Sequence, residues 1–512
     1  MGRFVMGRLA ALALGLLATV LPAASAAQSE RVSIALEIVV PESSRGVGLV
    51  LSPEALHQLP AGVTFDEPNV PGALAIAFDA HNPPPPVRER EDGRPIGWFD
   101  EFGNWYDRPQ REISIHWDGV ERVNMLSPVE FRGSEPASVA VEIAYVVGGA
   151  EIDLAINGEP VLERRFIPGV HRLDASALTG VARDSEGNRV GSIDLLSMQT
   201  ATTTGEIPEP VHVTVFDEVF VHGGAQRPRA EVDFSNVPER TGRVIATLTL
   251  GEPEVGYDHW DKLAYIRLLP TEDGGENDKP VELLRFITPF RKGWTWQADV
   301  TELLPELRAG PGGTRTLDAF IETYMKGWLL TLHLDFYPGP PPAELGRPIE
   351  VVPLWSGRVE IGNPDKPAEG VYVPKTVRVP EGATAAMLRF TATGHGMSPN
   401  TNNAGEFMPL GRTVTAKSAK GERRWTNTLW TEDVYLNPCR PQGGTWKFDR
   451  AGWAPGSVVL PWRIDLTELI EPGGTITLDY DLDPYLNEDR GQTWAPFHLT
   501  ASEVVFFGPA GE

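Results

Sequence analysis

Cysteine is almost missing. Cys439 stands alone among 512 residues, so no intramolecular disulfide can close and no cysteine-rich zinc site can be built. Basic residues are also scarce, with 45 Lys+Arg against 70 Asp+Glu and a formal charge of −25. Such a surface repels phosphate backbones, which excludes a general nucleic-acid binder. The 10 histidines are scattered, with no His-x-His or His-x₃-His pair, and this argues against a histidine metal centre. Helical periodicity is rare, and Leu303 to Leu307 allows one short turn. The one long apolar run, Leu9 to Leu21, is shorter than the roughly 20 residues a membrane helix needs, so no membrane insertion is expected.

What is abundant is turn chemistry and apolar material. Gly numbers 52 and Pro 46, while hydrophobic residues make up 41%, enough to form real cores. Arg3 and Arg8 precede the apolar run and Ala24-Ser25-Ala26 follows it, so residues 1–27 are expected to be a secretory signal. The product is then secreted or periplasmic. Gln199 to Pro210 and Tyr337 to Pro353 are Pro/Gly-rich candidate linkers. They divide the chain into 28–205, 206–345 and 346–512. Arg243 to Leu250, Leu330 to Phe336 and Val139 to Val147 alternate or are β-branched, and Val139 to Val147 leads into a hairpin with Gly148-Gly149 at its turn. The expectation is an all-β protein of three sandwiches in a row.

The run Ala73 to Asp79, then Asn104-Trp105-Tyr106-Asp107 and Glu112 to Gly119, resembles the concanavalin-like lectin sandwich in order. Asp79, Asn104 and Asp107 are candidate oxygen ligands for calcium, although acids at strand ends also cap turns. Trp98, Trp105 and Trp117 suit either sugar stacking or core packing.

The second half carries more distinctive strings. In order they are Asp258-His259-Trp260-Asp261-Lys262, Arg285-Phe286-Ile287-Thr288-Pro289, Ile321-Glu322-Thr323-Tyr324, Gly394-His395-Gly396, Ala404-Gly405-Glu406-Phe407 and Asp449-Arg450-Ala451-Gly452-Trp453-Ala454-Pro455-Gly456. This ordered set resembles the bacterial peptide-N-glycosidase F family of N-glycan-releasing amidases, over roughly residues 210–505. The resemblance implies two adjacent eight-stranded jelly rolls with an active site at their interface. It also implies Asp261, Glu322 and Glu406 as catalytic acids, with Arg450 and Trp453 beside the cleft. Trp260, Lys262, Tyr324, His395 and Phe407 fall at implied substrate-binding positions. Lys262 stands where the family has arginine, Tyr324 and Phe407 where it has tryptophan, and the family's flanking cysteines are replaced.

The chemistry has its own logic. Hydrolysing a side-chain amide needs proton transfer, and no Ser-His-Asp or Cys-His set is visible, so carboxylates are left to supply it. Clustered carboxylates push at least one pKa upward, letting one donate a proton while another stays ionised, and Arg450 is suited to hold their charge. The expected function is an exported amidase acting on N-linked glycoproteins or glycopeptides without a cofactor, with the first sandwich as an accessory module. The alternative is a non-catalytic carbohydrate- or protein-binding exported protein on the same scaffold.

Overall fold

The computed structural model describes residues 30–509 except 54–57, 81–87, 90–94, 97–110, 174–175, 185, 202–208, 272–278, 343–345, 361–371, 397–404 and 484–495. Alternation sets the strands. In Trp328–Pro338 the residues Trp328, Leu330, Leu332, Leu334 and Phe336 are buried and the residues between them are partly exposed, the period of two that places one face on a core. Burying each such side chain contributes roughly 1.5–3 kcal/mol. The patterns expected as strands near 243, 330 and 139 appear as Thr241–Gly251, Trp328–Pro338 and Ala137–Val146, and the expected turn at 303–307 is a 3₁₀ turn running into the helix Leu304–Arg308.

Among the described residues, the strands form three successive sandwiches. The first stacks the sheet Glu159–Pro168, Gly149–Ile156, Ala137–Val146, Arg31–Val39, Ser192–Ala201 on the sheet Ser176–Val181, Gly46–Ser52, Leu74–Asp79, Glu112–Trp117, Val120–Leu126. One core, from Val32 to Ile193, unites them. Its hairpin differs by one residue from expectation. Val146 pairs with Gly149, so the turn is Val147-Gly148, with Gly148 at φ +78 where a side chain would be strained. Trp117 packs in this core, edge-on to His171.

The second sandwich sets Val211–Val221, Trp328–Pro338, Thr241–Gly251 and Thr295–Asp299 against Arg229–Asp233, Thr314–Ile321, Leu263–Leu268 and Val281–Ile287. The third sets Arg347–Val359, Phe497–Gly508, Ala385–His395 and Trp462–Asp465 against Lys375–Arg378, Thr475–Leu482, Leu410–Ser418 and Gly421–Leu429. These are the two eight-stranded units expected. The second half of the proline-rich stretch 337–353 is strand rather than linker. It accommodates Pro348 and Pro353 because the register shifts at each, where no ladder donor is needed.

Three features join the last two sandwiches. Val458–Val459, from the third, adds a strand beside Val281–Ile287 of the second. Val351, Val505 and Phe507 pack into the second sandwich's core. Buried Arg285 donates to Thr393 Oγ1 at 3.1 Å and Leu499 O at 2.5 Å, while Arg389 bridges Glu503 (2.5 Å) and Glu302 (2.9 Å). The first sandwich is tied on by Arg440, whose guanidinium reaches Glu67 (2.6 Å), Glu121 (3.1 Å) and Glu112 (3.6 Å). Cys439 beside it is buried, and burial pushes its thiol up to about 12.

Candidate active site

The site lies where the joined sandwiches meet, and it is made by four loops, the last two carrying Arg450 and, after the strand Ala385–His395, Glu406. The first precedes the strand Leu263–Leu268 and carries Trp260, Asp261 and Lys262. Fully buried Asp258 shapes it. Trp260 N donates to Asp258 Oδ1 at 3.2 Å, an Asx-type turn that points the next residues outward. Thr323 Oγ1 donates to Asp258 Oδ2 at 2.5 Å, which locks this loop to the second one, residues 322–327. Buried Thr288 clamps Lys262, accepting from its N–H at 2.8 Å and donating its own N–H to Lys262 O at 3.0 Å.

The third loop brings Arg450. It is 1% exposed and donates to Phe448 O at 2.6 Å and Thr445 O at 2.9 Å, so its own loop fixes the guanidinium. The remaining edge faces two acids. Arg450 Nε donates to Glu406 Oε1 at 3.2 Å, and Nη2 lies 3.8 Å from Asp261 Oδ2. Trp453 and Phe407 flank the cation, with ring centroids 4.8 and 5.2 Å from its Cζ. Burial raises both carboxyls. Asp261 is held above the usual range against the pull of Arg450 and Lys262. Glu406 is pushed up to about 7, burial outweighing Arg450, with Asp261 adding to the rise. Two carboxyls thus share one cation, an arrangement that favours keeping one of the two protonated.

Glu322 sits at the end of Thr314–Ile321 and adjoins this set. Its N–H donates to Leu263 O at 2.9 Å, and its Oε1 accepts from Tyr324 O–H at 3.0 Å. Lys262 Nζ lies 4.9 Å over the Tyr324 ring. Tyr324 (68% exposed) and Trp260 (56% exposed) leave large aromatic surfaces in water, with Trp260 edge-on to Phe290. The structure therefore gathers Asp261, Glu406 and Arg450 into one contact set, with Glu322, Tyr324 and Lys262 as a second along its rim.

Two expected substrate contacts are interior instead. Trp453 is 5% exposed, donates its indole N–H to Gly394 O at 2.7 Å, and belongs to the apolar seam of Leu263, Ile287, Val459 and Phe497 between the sandwiches. His395 is buried between Trp453 and Phe497, at 5.3 and 5.2 Å, and burial with Arg285 nearby lowers its pKa well below the usual value. A neutral imidazole enclosed in this way is packed as an interior side chain. Asp258 and Thr288 escaped sequence reasoning as positioning residues, although Asp-x-Trp before an expected strand carries the Asx-turn signal.

Of the calcium candidates, Asp79 is a buried strand end, and Asn104 and Asp107 lie outside the described residues. Among the described residues, Glu67, His116 and Glu121 have ligand atoms within 4.8 Å of one another. Arg440 already fills that acidic nest, and His116 is held by Asn69 Oδ1 and Ser114 Oγ, each at 2.8 Å, so it is an ion-pair cluster.

Fold and site together define a paired jelly-roll protein with a carboxylate–arginine centre where the two sandwiches meet. The chain is similar to the peptide-N-glycosidase F family over more than half of its length. Residues 365–501 match the family model described as "Peptide-N-glycosidase F, C terminal". The peptide-N(4)-(N-acetyl-beta-D-glucosaminyl)asparagine amidase F of Elizabethkingia miricola is 25% identical over 309 residues, spanning 58% of this chain and 83% of that one. The solved structure of PNGase F, a glycosylasparaginase from Flavobacterium meningosepticum, superposes with a TM-score of 0.50 at 22% identity, covering 59% of this chain and 97% of that one. A structure named PNGF-II is 13% identical with a TM-score of 0.47, covering 95% of this chain and 99% of that one.

Proposed function

We propose that this chain is an exported amidase that hydrolyses the Asn–GlcNAc linkage of N-glycoproteins or glycopeptides, freeing the glycan and leaving aspartate. The observation that carries the reading is the pairing of Asp261 and Glu406 on one buried arginine, with Glu406 poised near neutrality. Binding alone does not need two desolvated carboxyls whose ionisation is opposed by their surroundings.

The reaction adds water across the amide. Asp261 takes a proton as the water oxygen attacks the side-chain carbonyl carbon. The C–N bond then breaks, and the departing glycosylamine nitrogen receives a proton from the pair, for which protonated Glu406 is suited. The glycosylamine afterwards hydrolyses to the free sugar and ammonia. Arg450 holds both carboxylates in place and limits how far their pKa values climb. Glu322 with Tyr324 offers hydrogen bonds at the rim, and exposed Trp260 offers a face for a sugar ring. Export rests on the signal pattern of residues 1–27, and an accessory role for the first sandwich rests on its attachment through Arg440.

Mass spectrometry of an N-glycopeptide incubated with purified protein, beside Asp261→Asn, tests the reading. Release of the intact glycan with Asn converted to Asp, lost in the variant, is expected. Cleavage between the two core GlcNAc units, or no change across several glycopeptides with folded protein, refutes it.

A further inference from the structure

A second polar cavity, of about 330 Å³, opens in the third sandwich and takes no part in the site above. One of its lining residues, Arg412, comes from a strand whose pattern is broken. Leu410–Ser418 turns Leu410, Arg412, Val414 and Ala416 inward, so an arginine occupies a position that apolar side chains fill before and after it. Arg412 is 8% exposed, its guanidinium lies 4.6 Å over the Trp462 ring, and among the described residues its polar neighbour is the buried Tyr480 hydroxyl and not a carboxylate. Other arginines buried as deeply behave differently. Arg243, Arg285, Arg315, Arg389 and Arg450 each face a carboxylate. No ion pair is found for Arg412 among the described residues.

An unpaired charge taken out of water costs several kcal/mol, and natural interiors keep such groups paired. Arg412 itself lines an opening, with no carboxylate in the lining to neutralise it. The lining adds Arg463, the exposed amide and hydroxyl of Asn427 and Thr428, and the indoles of Trp430 and Trp462, with no Asp or Glu, although the chain carries 70 acids. We propose that this cavity binds a carboxylate, received by the Arg412 guanidinium. A guanidinium pairs with a carboxylate through charge-assisted hydrogen bonds, and Asn427 with the indoles provides for the body that bears it. Burial lowers the Arg412 pKa, and the neighbouring Tyr480 hydroxyl only partly opposes the fall.

Placement suggests use during turnover. Thr431 and Gly452 of the cavity wall both donate their N–H to Arg450 O, at 2.7 and 2.8 Å, so the cavity backs directly onto the loop that carries the site's arginine. If the substrate is a glycopeptide, a point that rests on the proposed function, the carboxylate has two sources, an acidic sugar of the glycan or an acidic residue of the peptide.

Ligand-observed NMR titration of the full chain needs no catalysis, so it fails or succeeds independently of the amidase reading. The probes are N-acetylneuraminic acid, N-acetylglutamate, galactose and inorganic sulfate. At least one carboxylate probe is expected to bind, at least tenfold more weakly to Arg412→Met, and the tighter of the two names the source. Asn427→Asp, a change at an exposed position that places a like charge beside the ligand, is expected to weaken it by a similar factor and serves if Arg412→Met does not fold. Binding by neither carboxylate, equal binding of galactose or of sulfate, or binding indifferent to Asn427→Asp overturns the proposal.

Discussion

Replacing Arg440 by Met tests how firmly the first sandwich is bound to the rest. The guanidinium is the sole cation found among the described residues against Glu67, Glu112 and Glu121, and Glu112 and Glu121 are nearly fully buried. Removing one member of a buried ion pair costs roughly 3–5 kcal/mol, because the other charge is left uncompensated. For a unit of this sandwich's size each kcal/mol lowers the melting temperature by about 2–4 °C, so its transition is expected to fall by at least roughly 6–12 °C. The loss depends on pH. Burial holds the Glu121 carboxyl well above its ordinary range and Arg440 pulls it down, so the variant lets it rise further. An acid raised in the folded state lowers stability as pH climbs from its ordinary value through its folded one, and in the variant that decline extends to higher pH. Scanning calorimetry of wild type and variant at about pH 5 and about pH 8 should therefore show the larger deficit at the higher pH. A deficit that is the same at both, or below about 2 °C throughout, refutes the reasoning.

Glu503 is buried among Arg389, Glu282 and Glu302 and is pushed up to about 7, so Glu503→Gln should remove about 3 kcal/mol of the wild-type stability decline between pH 4.5 and 7, read by urea unfolding across that window. Trp260→Ala should raise KM several-fold with the melting temperature almost unmoved, since the ring is mostly in water. Trp453→Ala should cost about 3–5 kcal/mol of stability, because it opens the seam between the sandwiches, and a normal denaturation midpoint would contradict this placement. Asp258→Ala strands Thr323 Oγ1 and the Trp260 N–H, and a fall in kcat without a change in the apparent pKa of the pH profile is the expected sign of a positioning role.

The fold was legible because strand signals here are strong and local. Leu330 to Phe336 alternates without interruption, and Gly and Pro punctuate the strands. Linker reading fared worse at 337–353, since prolines mark bulges inside a strand as readily as they mark breaks. At the site, motif order singled out Asp261, Glu406 and Arg450, which the fold brings together, but spacing says nothing of depth. Trp260 and Trp453 are both tryptophans beside conspicuous motifs, and one faces water while the other lines the interior. Arg440 was unreadable, since its partners lie more than three hundred positions away in sequence. Arg412 was hidden for a different reason, because alternation predicts which positions face inward and not which of them is left without a counter-charge.

The strand Val458–Val459 has a consequence for how the molecule is made. It completes a sheet whose other members end by residue 321, so while the chain emerges from the ribosome Val281–Ile287 must wait with one row of backbone donors and acceptors uncovered. A bare edge of this kind is a template for pairing with other chains. A nascent chain, or one cut short before residue 458, would carry that adhesive edge. The interval before the late strand arrives is therefore when this protein is most exposed to association with its neighbours.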